Sequence, residues 1–245
     1  MKICAVQTSA IKGNIAENIK KHLQFLDLAV ANKSDLILFP ELSITGYEPA
    51  LASELAMNEN DKRLNCFQQF SNKHQVVICI GAPTQTEKQL FISMIIFQPN
   101  AKPITYSKQY LYPTEVDVFT PGNNSIYLQL KNGEIVAPTI CYELSQPQHS
   151  QAAAQNNSSV YLASVLNSVA GVDSDLQKLS DIAKKYGMTT FMANYVGQSG
   201  GYECAGKTSV WHSDGTLVGQ LDGKNEGILV YNTDTKEVIY KTIYQ

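Results

Sequence analysis

The chain has 245 residues, a size that removes roughly 70–75% of its unfolded surface from water and so needs no disulfide or metal staple. Apolar residues at 44% and charged residues at 17% exclude a disordered chain, and 15 glycines with 9 prolines exclude a collagen-like or low-complexity one. A balance of 19 basic against 22 acidic residues gives −3, which disfavours a nucleic-acid binder, and five cysteines without a Cys-x-x-Cys pair point to free thiols in a reducing compartment.

Strand and helix patterns alternate along the chain without a linker or repeat, which predicts one α/β domain over 1–245. Lys2–Gln7 reads as a strand and not as a signal peptide. Asn14 and Glu17 form a capping-box pattern ahead of a helix whose stripe is Ile15, Ile19, Leu23, Leu26 and Val30. Asp35–Phe39 is a buried strand stopped by Pro40, and Asp61–Lys73 is a second helix. Val76–Ala82 and Leu90–Phe97 are neighbouring strands, followed by a strand over Glu134–Ile140 and a helix over Ser145–Gln155. Leu176, Leu179, Ile182 and Tyr186 set the period of a helix over Ser174–Tyr186. Thr189–Asn194, Thr208–Trp211, Thr216–Leu221 and Gly227–Tyr231 close the chain as strands, with Asp214-Gly215 a hairpin turn. No apolar run approaches the ~18 residues of a membrane helix, so the expectation is a soluble, cytoplasmic protein with no membrane partner.

Chemistry-bearing residues sit where strand patterns end. Glu41 follows the strand ending at Phe39, where open α/β folds place ligands. Lys108 and Glu115 lie in the aromatic-rich stretch Tyr106–Glu115. Cys141 falls between an apolar strand and a helix start, where backbone N–H groups favour a thiolate. Each has an ordinary structural explanation singly: a buried thiol, a solvated lysine, a capping carboxylate. Together they supply a nucleophile, a base and a cation, the set needed for acyl transfer.

The three segments resemble the signature blocks of the nitrilase superfamily, the carbon–nitrogen hydrolases. Pro40-Glu41-Leu42 with Gly46-Tyr47 resembles the block around that family's catalytic glutamate. Lys108, Leu111, Pro113 and Glu115, followed by Phe119, Pro121 and Gly122, resemble the lysine block, and Ile140-Cys141-Tyr142-Glu143 the nucleophile block. The resemblance implies a four-layer α-β-β-α sandwich that pairs as a homodimer or larger even oligomer. It implies Glu41, Lys108 and Cys141 as the catalytic triad and Glu115 as a supporting acid. The backbone N–H of Tyr142 would serve the oxyanion, and Tyr47 and Tyr112 would line the substrate pocket. The chain departs from the family pattern after the nucleophile, where Glu143-Leu144-Ser145-Gln146-Pro147-Gln148 replaces an Asp and an Arg-Phe-Pro-Glu stretch. Val165-Leu166-Asn167-Ser168 likewise lacks the aromatic residue that many members place over the substrate.

The expected activity is hydrolysis of a small aliphatic or ω-amide through a cysteine acyl-thioester, with no cofactor. A nitrilase, an N-carbamoyl-amide hydrolase and a non-catalytic binding subunit of the same fold are the alternatives. Gly201–Thr208 spells the phosphate-loop pattern, but a strand-like Thr208–Trp211 follows where that loop needs a helix. His149 is too far along a helix from Cys141 to be its base, and His22, His74 and His212 read as surface or helix-end residues. Scattered histidines without cysteine pairs argue against a metal site. Cys4 and Cys79 read as core, Cys66 as a packed or surface thiol, and Cys204 as a residue whose loop could approach the pocket.

Overall fold

The computed structural model of the chain describes residues 1–58 and 60–243. In chain order the strands are β1 (Lys2–Gln7), β2 (Leu36–Leu38), β3 (Val77–Gln85), β4 (Leu90–Phe97), β5 (Ile104–Ser107), β6 (Leu128–Gln129), β7 (Ile135–Ile140) and β8 (Val160–Ser164), then β9 (Thr189–Ala193), β10 (Val196–Ser199), β11 (Tyr202–Ala205), β12 (Ser209–Trp211), β13 (Leu217–Gln220), β14 (Glu226–Asn232) and β15 (Val238–Ile243). The α-helices are α1 (Ile15–Ala31), α2 (Ala52–Leu55), α3 (Asn65–His74), α4 (Pro147–Gln155) and α5 (Val172–Tyr186).

Two sheets carry the fold, ordered β15-β14-β1-β2-β3-β4-β5 and β13-β12-β9-β8-β7-β6. Each has three parallel strands, β1–β2–β3 or β7–β8–β9, flanked by antiparallel ones. Parallel neighbours need a crossover, and α1, α3, α4 and α5 supply it between successive parallel strands.

The pleat then sorts the side chains. Ile3, Ala5, Leu36 and Leu38 point into a core shared with Val136, Ile140, Leu162 and Phe191 of the other sheet. Their neighbours Cys4, Val6, Ile37 and Phe39 point the opposite way, against Phe25 and Leu26 of α1 and Phe67 of α3. On the outer face of the second sheet, Ala137, Tyr161 and Ala163 meet Ala153 of α4 and Leu179 and Ile182 of α5. These three cores separate four layers, α-β-β-α, as expected. Strands buried on both faces read as unbroken apolar runs, which is why Leu36–Leu38 shows no alternation. Truncating such a residue, Leu38→Ala for instance, costs about 2–5 kcal/mol.

Several boundaries differ from the sequence reading. Asn14 does accept the Glu17 N–H at 3.2 Å, but the Glu17 carboxylate pairs with Lys20 at 2.6 Å, so the capping box is half made. The helix expected from Asp61 starts as a 3₁₀ turn over Lys62–Leu64, and the one expected from Ser145 starts at Pro147, the residue pre-set for a first helical turn. His22 is a correction: it is buried, stacked on Phe39 with ring centroids 4.1 Å apart. The Asn18 carbonyl, 2.7 Å from Nδ1, can only accept, so Nδ1 carries the proton and Nε2 accepts from the Ser43 hydroxyl at 2.9 Å. Burial pushes this imidazole down to about 4 and keeps it neutral. No helix among the described residues is long and apolar enough to cross a membrane.

Candidate active site

Three turns at strand ends deliver the expected residues to one place. Glu41 follows β2 in a tight turn in which Leu42 has φ +52° and the Ser43 N–H donates to the Pro40 carbonyl at 3.2 Å. This turn lies directly on β3, where a side chain at Gly81 would sit 2.2 Å from the Leu42 nitrogen, so only glycine permits the approach. The Ser43 hydroxyl that His22 holds accepts from the Gly81 N–H at 3.2 Å and pins the same turn. Lys108 comes directly after β5. Its N–H donates to the Ile92 carbonyl and its own carbonyl accepts from Gly122, each at 2.8 Å.

Cys141 is the first residue of a 3₁₀ turn, Cys141–Ser145, that follows β7. Its φ of +47° is a conformation that a residue with a side chain seldom adopts, and the residue lines the cavity described below. The strained turn is fastened by Glu143. That carboxylate accepts from the Ile140 N–H at 2.7 Å, from the Gln109 N–H at 2.6 Å and from the Tyr106 hydroxyl at 2.8 Å. One buried side chain therefore ties the residue before the cysteine to the residue after the lysine. His149 takes no part with Cys141, as expected; its nitrogens contact the hydroxyls of Tyr106 and Tyr161 at 2.8 and 2.7 Å.

At the centre is the Lys108 ammonium, wholly buried, donating to Glu41 Oε1 and Glu115 Oε1 at 2.8 Å each. Glu115 is itself held by the Tyr47 hydroxyl and the Tyr112 N–H, both at 2.7 Å. The Tyr195 hydroxyl donates to the Glu41 carbonyl at 2.8 Å. Burial works to lower the Lys108 pKa, but Glu41, Cys141 and Glu115 outweigh it and hold the ammonium charged. Burial raises the Glu41 pKa, with Lys108 opposing and Glu115 reinforcing. Its second oxygen, Oε2, is buried without a hydrogen-bond partner among the described residues. Burial and then the charge of Glu41 push the Cys141 thiol well up, against the pull of Lys108. The expectation that the helix start would favour a thiolate is thus corrected: a five-residue 3₁₀ turn has too small a dipole to offset a nearby carboxylate.

Glu41, Glu115 and Cys141 line one cavity of about 350 Å³, together with Tyr47, Tyr112 and Tyr142. Tyr142 lies in the first 3₁₀ turn, where N–H groups have no acceptor within the helix. Tyr112 is half in solvent at the mouth, edge-on to the Tyr142 ring at 5.3 Å. The β10–β11 ribbon does reach this cavity, through Tyr202, whereas Cys204 is buried in the core between the sheets. Sequence reasoning missed the wall supplied by Ser145 and by Ser174, Asp175 and Lys178 of α5. The Asp175–Lys178 spacing on a helix was its only available signal. Lys207 of the phosphate-loop pattern pairs with Asp173 at 2.8 Å and leads into β12, a strand. Among the described residues no group of three or more His, Cys, Asp or Glu side chains is placed to hold a metal ion.

The likeness to known proteins agrees with this geometry. An (R)-stereoselective amidase of Pseudomonas sp. is 27% identical over 66% of this chain and 59% of its own length. A glutamine-dependent NAD(+) synthetase of Acinetobacter baylyi is 26% identical over 99% of this chain but 46% of its own length, so the chain spans about half the length of these relatives. A protein described as a hydrolase in the agr operon of Staphylococcus aureus is 24% identical over 97% of this chain and 93% of its own. Among solved structures, a variant of the amidase from Nesterenkonia sp. AN1 in complex with butyramide superposes with a TM-score of 0.86 at 22% identity, covering 94% of this chain and 89% of that one. Another variant of that amidase carries the acetamide moiety of fluoroacetamide on its active-site cysteine, at the same TM-score of 0.86. The family description Carbon-nitrogen hydrolase matches residues 2–240, nearly the whole chain, and the chain belongs to that family.

Proposed function

We propose that the chain, read as one carbon–nitrogen hydrolase domain, is a thiol-dependent amidase that releases ammonia from a small aliphatic or ω-amide. The observation that carries the reading is Glu41 Oε2, buried and unpartnered in the cavity that it shares with Cys141. A buried acceptor left open is costly unless it has a proton to take. The thiol is held protonated, so attack needs this base: Glu41 takes the thiol proton as sulfur bonds to the amide carbon. Two of the three Lys108 N–H bonds go to Glu41 and Glu115, leaving one for the developing oxyanion beside the Tyr142 N–H. Glu41 then returns the proton to the departing nitrogen, ammonia leaves, and an acyl-thioester remains. Water deprotonated by Glu41 attacks the thioester, the C–S bond breaks, and the acid leaves with Cys141 reprotonated. Lys108 stays charged throughout.

Amide substrates suit the names of the relatives, among them the 2-oxoglutaramate amidase of Bacillus subtilis, 25% identical over 96% of this chain. The test is ammonia release from a panel of small amides, ω-amides, nitriles and N-carbamoyl compounds, with Cys141→Ala as control. Amides should be turned over by the native chain and not by Cys141→Ala, which should keep its fold by circular dichroism. Near-normal turnover in Cys141→Ala would end the mechanism. We also propose a homodimer or larger even oligomer acting in the cytoplasm; light scattering giving only a 27.0 kDa species at micromolar concentration would refute the assembly.

A further inference from the structure

We infer that the mouth of the cavity is a subsite for both charges of an α-amino acid, so that the substrate is an ω-amide of the glutamine or asparagine kind. This rests on the amidase reading and narrows its substrate class. The residues that point to it, Asp175 and Lys178 of α5, line the same cavity as Cys141. The Lys178 ammonium donates to Asp175 Oδ1 at 2.8 Å and to the Ser145 hydroxyl at 2.7 Å, which spans the mouth from α5 to the turn of the nucleophile. An ammonium has three N–H bonds, so one is left to donate. Asp175 Oδ2 has no hydrogen-bond partner among the described residues and is left to accept.

The pair offers a ligand one donor of positive charge and one acceptor of negative charge, side by side on one helical face. A lone carboxylate would gain Lys178 but face Asp175, and a lone amine would meet the reverse. A zwitterion meets both with the signs matched. Asp175 and Cys141 line the same cavity, which suits a substrate with its amide at one end and its charges at the other. A cavity of about 350 Å³ holds a ligand of that size, and four tyrosines, Tyr47, Tyr112, Tyr142 and Tyr202, enclose its methylene stem.

The test compares four amides on the native chain: glutamine, glutaramate (carboxylate only), 4-aminobutanamide (amine only) and butyramide (neither). Glutamine should have the highest kcat/KM, and the ratio of glutamine to butyramide should fall about tenfold or more in Lys178→Met, the loss typical of one charge-assisted hydrogen bond. Asp175→Asn should remove the advantage of glutamine over glutaramate. Butyramide turned over better than glutamine, or a ratio unmoved by Lys178→Met, would overturn the subsite while leaving the amidase standing. Titration calorimetry on Cys141→Ala reads the subsite apart from the chemistry. Glutamine should bind, and bind more weakly once Lys178→Met is added; no glutamine binding would overturn the inference even if amides are hydrolysed.

Discussion

Lys108 and Lys178 both line up a carboxylate oxygen at 2.8 Å, Lys108 against Glu41 and Glu115, and Lys178 against Asp175. The distances are the same and the physics is not. Lys108 is wholly buried, while 35% of the Lys178 side chain remains in solvent. In the first cluster every charge has lost its water, so the ammonium is locked on and the Glu41 pKa is driven up. In the second, water still screens the pair, and its members remain free to exchange partners. A fixed field suits the place where charge develops during reaction, and an exchangeable pair suits a mouth that must let a ligand in.

Lys108→Met keeps the length of the side chain and deletes its charge. Glu41 and Glu115 would then face each other in a dry site with nothing between them. Activity should fall at least ~10²-fold, the loss of one oxyanion donor, and stability should fall by about 3–5 kcal/mol, the cost of orphaning a buried partner. Glu41, already raised by burial, would bind its proton still more tightly in the fold than in the unfolded chain once Lys108 no longer opposes. The loss should therefore be greatest well above its ordinary value of 4.5 and shrink below it. Guanidinium denaturation at two pH values measures this. Normal turnover in Lys108→Met would reduce the centre to a Cys–Glu pair.

Burial also governs groups outside the site, His22 among them. Its pKa falls from 6.5 to about 4 in the fold, so the native state keeps it neutral while the unfolded chain takes up a proton. The stability it contributes is complete above pH 6.5 and is lost as pH falls toward 4, roughly 3 kcal/mol in all. His149 behaves alike, but it shares a network with Glu143, raised to about 7, whose linkage has the opposite sign: full below 4.5 and lost as pH rises through 7. The acid limb of a stability–pH curve should flatten in His22→Gln. An unchanged limb would show that His22 is charged in the fold.

How much of this could be read from the sequence follows the same division between local and distant. Glu41, Lys108 and Cys141 were legible because each sits in a local pattern, and so was the place of most strands along the chain. Val160–Ser164 was missed although it is an unbroken buried run like Leu36–Leu38, and Val238–Ile243 because an edge strand half in solvent carries a weak apolar signal. His22 was misread because nothing near it in sequence indicates Phe39 and Ser43, which bury it. Glu143 looked like a mere departure from pattern; its role as a clasp needs Gln109, brought beside it only by the fold. Asp175 and Lys178 looked like any solvated helix pair until the fold set them on the cavity wall.

Lys178→Met removes an ion pair of the same length as the buried one, yet stability should change by less than about 1 kcal/mol. The pair is an i, i+3 contact on a helix surface, and the Lys178 stem can still cover apolar neighbours as methionine. Asp175, with 16% of its side chain in solvent, would be left at the cavity wall near the α5 N-terminus, which tolerates a carboxylate, instead of in a fully dry interior. The small change should shrink further in high salt, since exposed pairs are screened within a Debye length of ~8 Å at physiological ionic strength. Denaturation midpoints of native and Lys178→Met chains at low and high salt make the measurement. A loss near that of Lys108→Met, unmoved by salt, would mean that Lys178 is a second structural anchor of the Ser145 turn and not an exchangeable partner at the mouth.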